Sequence, residues 1–82
     1  MITARQSRAA RVLLGWKQET LADRAQVSLT ALKRLESEGG LAVYESTRDQ
    51  VRRALEAAGI VFLSTAKGRG VLLVDEDNPE TS

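Results

Sequence analysis

The stretch Gln18–Ser37, QETLADRAQVSLTALKRLES, decides how this chain folds. Its pattern predicts a helix of about eight residues, a three-residue turn and a helix of about nine. Two helices that cross at about 90–120° must bury apolar side chains on their facing sides. The residues at those positions are Leu21, Ala22, Ala25, Val27, Leu32 and Leu35.

The other side of the second of these helices is polar and partly basic. It carries Leu29, Thr30, Lys33, Arg34 and Ser37, which point away from the apolar set. Such a side is typical of a helix that contacts either solvent or a charged partner. The spacing alone leaves both interpretations open.

Helices are also predicted before and after this stretch. Thr3 is a candidate N-cap for a helix over residues 4–14 that ends at Gly15. The central pair is expected over 18–25 and 29–37. Ser46 or Thr47 is expected to cap a fourth helix over 47–58, which Gly59 closes. We predict a mainly α fold, with residues 1–59 forming one four-helix unit.

The pattern changes after Gly59. Residues 60–63 and 71–74 are β-branched and apolar runs separated by a Gly-containing loop, which predicts a β-hairpin or a pair of edge strands. A lone two-stranded sheet is marginal in water, so it must either pack on the helices or pair its edge with a second copy. Apolar residues at nearly every position favour the second choice, a homodimer. The predicted dimer contacts are Ile60, Val61, Phe62, Leu63, Val71, Leu72 and Leu73.

Composition excludes several classes of function. The chain has 82 residues, enough for one small domain, and it has neither His nor Cys. Zinc fingers, thiol nucleophiles, disulfide frameworks and a Ser-His-Asp arrangement therefore cannot form. We expect no enzyme, no cofactor, no metal site and no membrane partner, and a cytoplasmic, nucleoid-associated protein.

The net charge of +1 is the sum of two different regions. Residues 1–57 carry ten basic and seven acidic side chains, and Lys67 and Arg69 bring the net charge to +5 by Val74. Four carboxylates in residues 75–82 then reverse most of it. A basic body suits a negatively charged partner, and the acidic tail is predicted to be disordered.

The order of these features resembles the phage-repressor and Cro-like, or Xre-type, helix-turn-helix regulators. The similarity runs over residues 5–58, through RQSRAARVLLGWKQETLADRAQVSLTALKRLE and then TRDQVRRALEAAG. The continuation AAGIVFL and GRGVLL is similar to a bacterial subset with a single domain and C-terminal strands. The resemblance implies a DNA-binding helix-turn-helix whose third helix enters the major groove of double-stranded DNA.

Residue roles follow from this resemblance position by position. Gln18 matches a residue that binds backbone phosphate and braces the third helix, and Arg11 and Glu36 match a structural ion pair. Gln26 occupies the turn position where the family commonly has Gly at positive φ. We expect Leu41, Val43 and Tyr44, in the loop before the fourth helix, to pack on the core. The implied DNA-binding residues are Gln18, Ser28, Leu29, Thr30, Lys33 and Arg34.

The resemblance implies a sequence-specific transcriptional regulator, expected to be a repressor that binds a palindromic operator as a homodimer. Two alternatives stay open. An antitoxin or a restriction-modification controller could use the same fold and the same DNA contacts. A protein-interaction module that keeps the fold but does not bind DNA is the third interpretation, and the modest charge and acidic tail are its support.

Overall fold

A computed structural model describes residues 2–37, 39 and 42–75. Within these residues there are four helices, α1 (Ala4–Leu14), α2 (Gln18–Ala25), α3 (Leu29–Glu36) and α4 (Glu45–Ala57). Two strands follow, β1 (Ile60–Thr65) and β2 (Gly68–Leu73), which pair antiparallel. A mainly helical chain with a C-terminal strand pair is therefore confirmed. The predicted acidic tail lies outside the described residues beyond Asp75.

α1 and α2 have the predicted bounds. Thr3 accepts a hydrogen bond from the backbone N–H of Gln6, whose side chain accepts one from the backbone of Thr3. This reciprocal capping box satisfies two N–H groups that have no partner within the helix. Gly15 ends α1 in the left-handed conformation, at φ 70°.

α3 and α4 differ from the prediction at their ends. α3 stops at Glu36, and Ser37 is its C-cap. α4 begins at Glu45 rather than Thr47, and neither Ser46 nor Thr47 is its cap, because Tyr44 occupies that position. A carboxylate in the first turn of a helix interacts favourably with the helix dipole, so Glu45 can extend α4 toward its N-terminus.

The core lies where the four helices meet the hairpin. Leu21, Leu32 and Leu55 are fully buried there, together with Val51 and Ala10. Ala22 is also buried, as expected for a small side chain on the inner side of α2. No helix in the described part of the chain is long and apolar enough to cross a membrane.

The hairpin is longer and tighter than predicted. Pairing continues through Ser64–Arg69 to Thr65–Gly68, so only Ala66 and Lys67 form the turn. The Thr65 hydroxyl accepts from the backbone N–H of Lys67 and donates to the carbonyl of Gly68. These bonds hold a polar stretch in strand geometry although its composition is typical of a loop.

One face of the hairpin packs on the chain's own helices. This inner face carries Ile60, Phe62, Val71 and Leu73, which join the core or pack against it. Gln6 ties α1 to the sheet, because its Nε2 donates to the carbonyls of Leu63 and Gly70, at 3.2 and 3.0 Å. The preference for cover by a second copy over packing on the helices was therefore wrong for this face. Of the predicted dimer contacts, Val61, Leu63 and Leu72 are on the surface.

Candidate nucleic-acid interface

The turn between α2 and α3 is held by backbone hydrogen bonds and one side-chain cap. Gln26 adopts the left-handed conformation, at φ 58°, as the family resemblance implied for this position. Val27 donates its N–H to the carbonyl of Ala22 at 3.0 Å. The Ser28 hydroxyl caps α3 by accepting from the N–H of Ala31 at 3.0 Å. Ser28, a predicted DNA contact, thus has a structural task at the start of α3.

The two sides of α3 have opposite environments. Leu32 and Leu35 are buried, and Leu29 is partly buried against the core. Thr30, Lys33 and Arg34 are exposed. Their spacing of three and four residues places them on one side of the helix, which we call the basic face of α3. No hydrogen bond or ion pair within the described residues uses these three side chains.

The C-terminal end of α3 is fixed by a cluster of hydrogen bonds around the buried carboxylate of Glu36. Arg11 forms an ion pair with it at 3.0 Å, and Arg11 Nε lies 3.2 Å from the same oxygen, Oε1. Ser7 Oγ donates to Oε2 at 2.8 Å and Gln18 Nε2 donates to Oε1 at 3.1 Å. The predicted Arg11–Glu36 pair is therefore confirmed. We call these four residues the Glu36 cluster.

A fifth residue, Arg8, also contacts Glu36 and helps to fix the orientation of α3. Arg8 Nη1 donates to the backbone carbonyl of Glu36 at 2.9 Å, where helical carbonyls lack partners and the helix dipole attracts cations. Donors from both α1 and α2 therefore converge on the last residue of α3. A buried carboxylate is stable only when it is paired and hydrogen-bonded, so this geometry fixes α3 against both helices.

The N-terminus of α2 lies at the edge of this cluster. Lys17, its N-cap residue, makes no side-chain capping hydrogen bond. The first N–H groups of α2 thus lack the usual side-chain cap, and uncapped helix N-termini attract anions. Gln18 uses one N–H of its amide on Glu36, and a primary amide has a second. Gln18 can therefore brace α3 and donate to an anion at the same time.

Tyr44 is a surface residue that the sequence reasoning placed wrongly. Its side chain is 83% exposed, whereas Val43 packs against the core as expected. Leu41, for which the same packing was expected, lies outside the described residues. Tyr44 lines an open depression of about 440 Å³ together with Thr30 and Arg34. A hydroxyl on an exposed aromatic ring is suited to a mixed polar and apolar contact. The sequence signal was weak, because an aromatic residue between Val43 and Glu45 is equally compatible with burial.

No protein-family model matches this chain, and comparisons with curated proteins and with solved structures find no match either. The chemistry of the site must therefore be judged from its own geometry. Among the described residues there is no group of three or more acidic, His or Cys side chains that could hold a metal ion. The exposed side of α3 carries two cations, Lys33 and Arg34. The hydroxyl groups of Thr30 and Tyr44 and the N-terminus of α2 complete the candidate interface.

Proposed function

We propose that this protein binds double-stranded DNA, with α2 and α3 acting as a helix-turn-helix and the basic face of α3 lying in the major groove. The observation that carries the proposal is the contrast within α3. One side of the helix is locked into the protein by the Glu36 cluster, and the other side presents three polar side chains with no partner in the described residues. The sequence resemblance to Xre-type regulators supports the same assignment.

The basic face has the size and chemistry that groove recognition requires. The major groove is about 12 Å wide and admits one α-helix. In this proposal, Arg34 and Lys33 contact guanine edges or flanking phosphates, and Thr30 contacts a base edge. Each well-formed base contact is worth about 1–3 kcal/mol of discrimination against a wrong base. Leu29 is half withdrawn into the core, so it can offer only its outer methyl group to a thymine.

The start of α2 and the loop before α4 provide the backbone contacts in this proposal. Gln18 donates its second amide N–H to a phosphate, next to the uncapped N–H groups of α2. Tyr44, which shares an open depression with Thr30 and Arg34, donates its hydroxyl to the sugar–phosphate backbone. Contacts of this kind fix the register of a protein on the duplex, and base contacts then specify the sequence.

We propose that the working form is a homodimer that binds a palindromic operator and represses transcription in the cytoplasm. Two copies would place their α3 helices in successive major grooves, about 34 Å apart on one side of the duplex. An antitoxin or a restriction-modification controller would bind DNA by the same contacts. Selection of bound fragments from genomic DNA would identify the operator and the genes beside it, and would distinguish these roles.

The first test is a gel shift with random-sequence duplex at low salt, where phosphate contacts alone give measurable affinity. Lys33→Ala and Arg34→Ala are each expected to weaken binding severalfold without lowering the thermal midpoint. The matched control is Arg53→Ala, which removes the same charge from an exposed side chain of α4. Undiminished binding in both α3 variants would contradict the proposal. Absence of duplex binding by the unmodified protein would favour a protein-interaction module.

A further inference from the structure

The hairpin has a second, outer face that is apolar and uncovered. Val61 and Leu63 are each 42% exposed, and Leu72 and Val74 are each 51% exposed. The strand register places Val61, Leu63 and Leu72 on one side of the sheet, together with Gly70. Val74 follows the end of β2, where the alternation of side chains puts it on the same side. The charged residues of this segment lie elsewhere, because Lys67 is in the turn and Arg69 pairs with Ser64 on the inner side.

We propose that the outer face is a contact surface for a second copy of this chain, with two hairpins stacked face to face. The turn of each hairpin lies over the open end of the other. This proposal rests on the homodimer of the proposed function and specifies its interface. Stacked sheets pack about 10 Å apart, so the four apolar side chains of each copy meet those of its partner.

Stacking accounts for the outer face, and edge pairing does not. If two hairpins joined edge to edge into a four-stranded sheet, backbone hydrogen bonds would form. The outer faces of both copies would still be in water, side by side, as one continuous apolar patch of twice the area found on a single copy. Burying apolar surface is the main driving force of association, so the stacked arrangement is the stable one.

A sheet paired edge to edge through β1 would need the backbone N–H of Ser64 as a hydrogen-bond donor. The Val74 N–H donates to the carbonyl of Gly59 at 2.8 Å. Hydrogen-bonded and non-bonded pairs alternate along an antiparallel ladder, so the Ser64–Arg69 pair is a non-bonded one. The N–H of Ser64 therefore points outward from the edge of β1. Removing it with proline affects edge pairing and leaves the outer face unchanged.

Charge selects between the two ways in which identical hairpins can stack about a two-fold axis. With the axis along the strands, the turns lie together and Lys67 faces Lys67. With the axis across the strands, Lys67 of one copy faces Asp75 of the other. Glu76 and Asp77 follow Asp75 in the sequence and are also acidic. Like charges in contact destabilise a complex and opposite charges stabilise it, so the crosswise axis is favoured.

Sedimentation equilibrium without DNA tests the interface. The unmodified chain is expected to dimerise at micromolar concentration, and Leu72→Glu and Leu63→Glu are each expected to weaken dimerisation at least a hundredfold. The control Val12→Glu places the same charge on a residue of α1 that is 70% exposed, and is expected to have little effect. Ser64→Pro should also dimerise normally. Circular dichroism confirms folding, and Val61→Glu replaces any variant that unfolds.

The opposite pattern would overturn the proposal. A dimer that tolerates the outer-face glutamates is not stacked through this face, and its loss in Ser64→Pro would show that it is edge-paired through β1. A monomeric unmodified chain has no such interface.

A charge exchange tests the orientation. Lys67→Glu and Asp75→Lys are each expected to weaken dimerisation roughly three- to tenfold, because each turns an attraction that occurs twice in the dimer into a repulsion. The double variant should recover most of the loss. A double variant that dimerises no better than the single ones would show that the crosswise axis is wrong.

These measurements separate the interface from DNA binding. A chain that dimerises through the outer face and has no affinity for duplex would refute the proposed function only. A monomer that binds duplex would refute the stacking and the proposed homodimer, and would leave the proposed DNA contact of α3 standing.

Discussion

At its C-terminal end, α3 is tied to α1 and α2 through a carboxylate that accepts hydrogen bonds from Ser7, Arg11 and Gln18. On the other side of the same helix, Thr30, Lys33 and Arg34 make no side-chain hydrogen bond within the described residues. Arg34 and Glu36 are only two positions apart in the sequence, yet the side chain of Arg34 is exposed and that of Glu36 is buried. The buried side fixes the position of the helix, and the exposed side keeps its donors available.

This difference shows how an 82-residue chain can offer a preorganised surface. Fixing a helix before it meets a partner reduces the conformational entropy that binding must still remove. Here the Glu36 cluster and the core leucines already hold α3 in place when the protein folds. The basic face can then be changed with little effect on stability, whereas the cluster cannot. Substitutions in the cluster should therefore change mainly stability, and substitutions on the basic face should change mainly duplex binding.

The largest expected effect is the loss of the Glu36 carboxylate. Glu36→Ala leaves the partly buried Arg11 without its ion-pair partner and should lower the free energy of unfolding by about 3–5 kcal/mol. Urea unfolding monitored by circular dichroism measures it. Glu36→Gln keeps the size and an acceptor and should lose less. If Glu36→Ala unfolds at nearly the same urea concentration as the unmodified protein, the cluster does not hold α3.

A smaller effect is expected at Tyr44, on the exposed side. Tyr44→Phe should weaken duplex binding by about 0.5–1.5 kcal/mol, the usual net value of one hydrogen bond, and Tyr44→Ala should weaken it further. Fluorescence anisotropy with a labelled duplex gives both values. The thermal midpoint should stay within a few degrees, because the ring lies outside the core. Equal affinities for Tyr44→Phe and the unmodified protein would show that the hydroxyl does not contact DNA.

Gln26 tests the turn that joins the two helices. A residue other than Gly in the left-handed region costs about 1 kcal/mol or more, whereas Gly adopts it freely. Gln26→Gly should therefore raise the free energy of unfolding by about 0.5–1 kcal/mol, and Gln26→Ala should not. Duplex affinity should be unchanged in both variants. A destabilised Gln26→Gly would mean that the Gln26 side chain makes a contact that outweighs the backbone strain.

The smallest effect concerns exposed ion pairs on α4, in contrast to the buried one. A hydrogen bond from Arg52, with the nearby charge of Arg53, lowers the pKa of Asp49 below its ordinary value. A lowered folded-state pKa contributes stability above the unfolded value of about 3.9, and this is lost as pH falls through the folded pKa. Asp49→Asn should therefore lose less stability than the unmodified protein between pH 6 and pH 3. Identical losses would contradict the assignment.

Much of the helical part could be predicted because its signals are local. Thr3 and Gly15 mark the ends of α1 through capping and left-handed backbone geometry, which depend on a few neighbouring residues. The positive φ of Gln26 had no such local signal, and it was expected from the resemblance to a known family. The pairing of Arg11 with Glu36 spans 25 residues, and only the resemblance to a known family indicated it.

The errors occurred where long-range packing decides. Tyr44 is apolar enough to be buried, but in the structure Val43 packs against the core and the Tyr44 side chain is exposed. Ser64 and Arg69 have loop-like composition, and their pairing depends on the partner strand. The apolar run of β1 gave no alternation, so the division into Phe62 facing inward and Leu63 facing outward could be seen only once the helices were in position.

The salt dependence of duplex binding tests the central claim most directly. Each phosphate contact made by a cation contributes about −0.9 to the slope of log K against log salt. If Lys33 and Arg34 both neutralise phosphates in the groove, the double alanine variant should have a slope shallower by about 1.8. Arg53→Ala should keep the original slope. A double variant whose slope and affinity equal those of the unmodified protein would show that the basic face of α3 does not contact DNA.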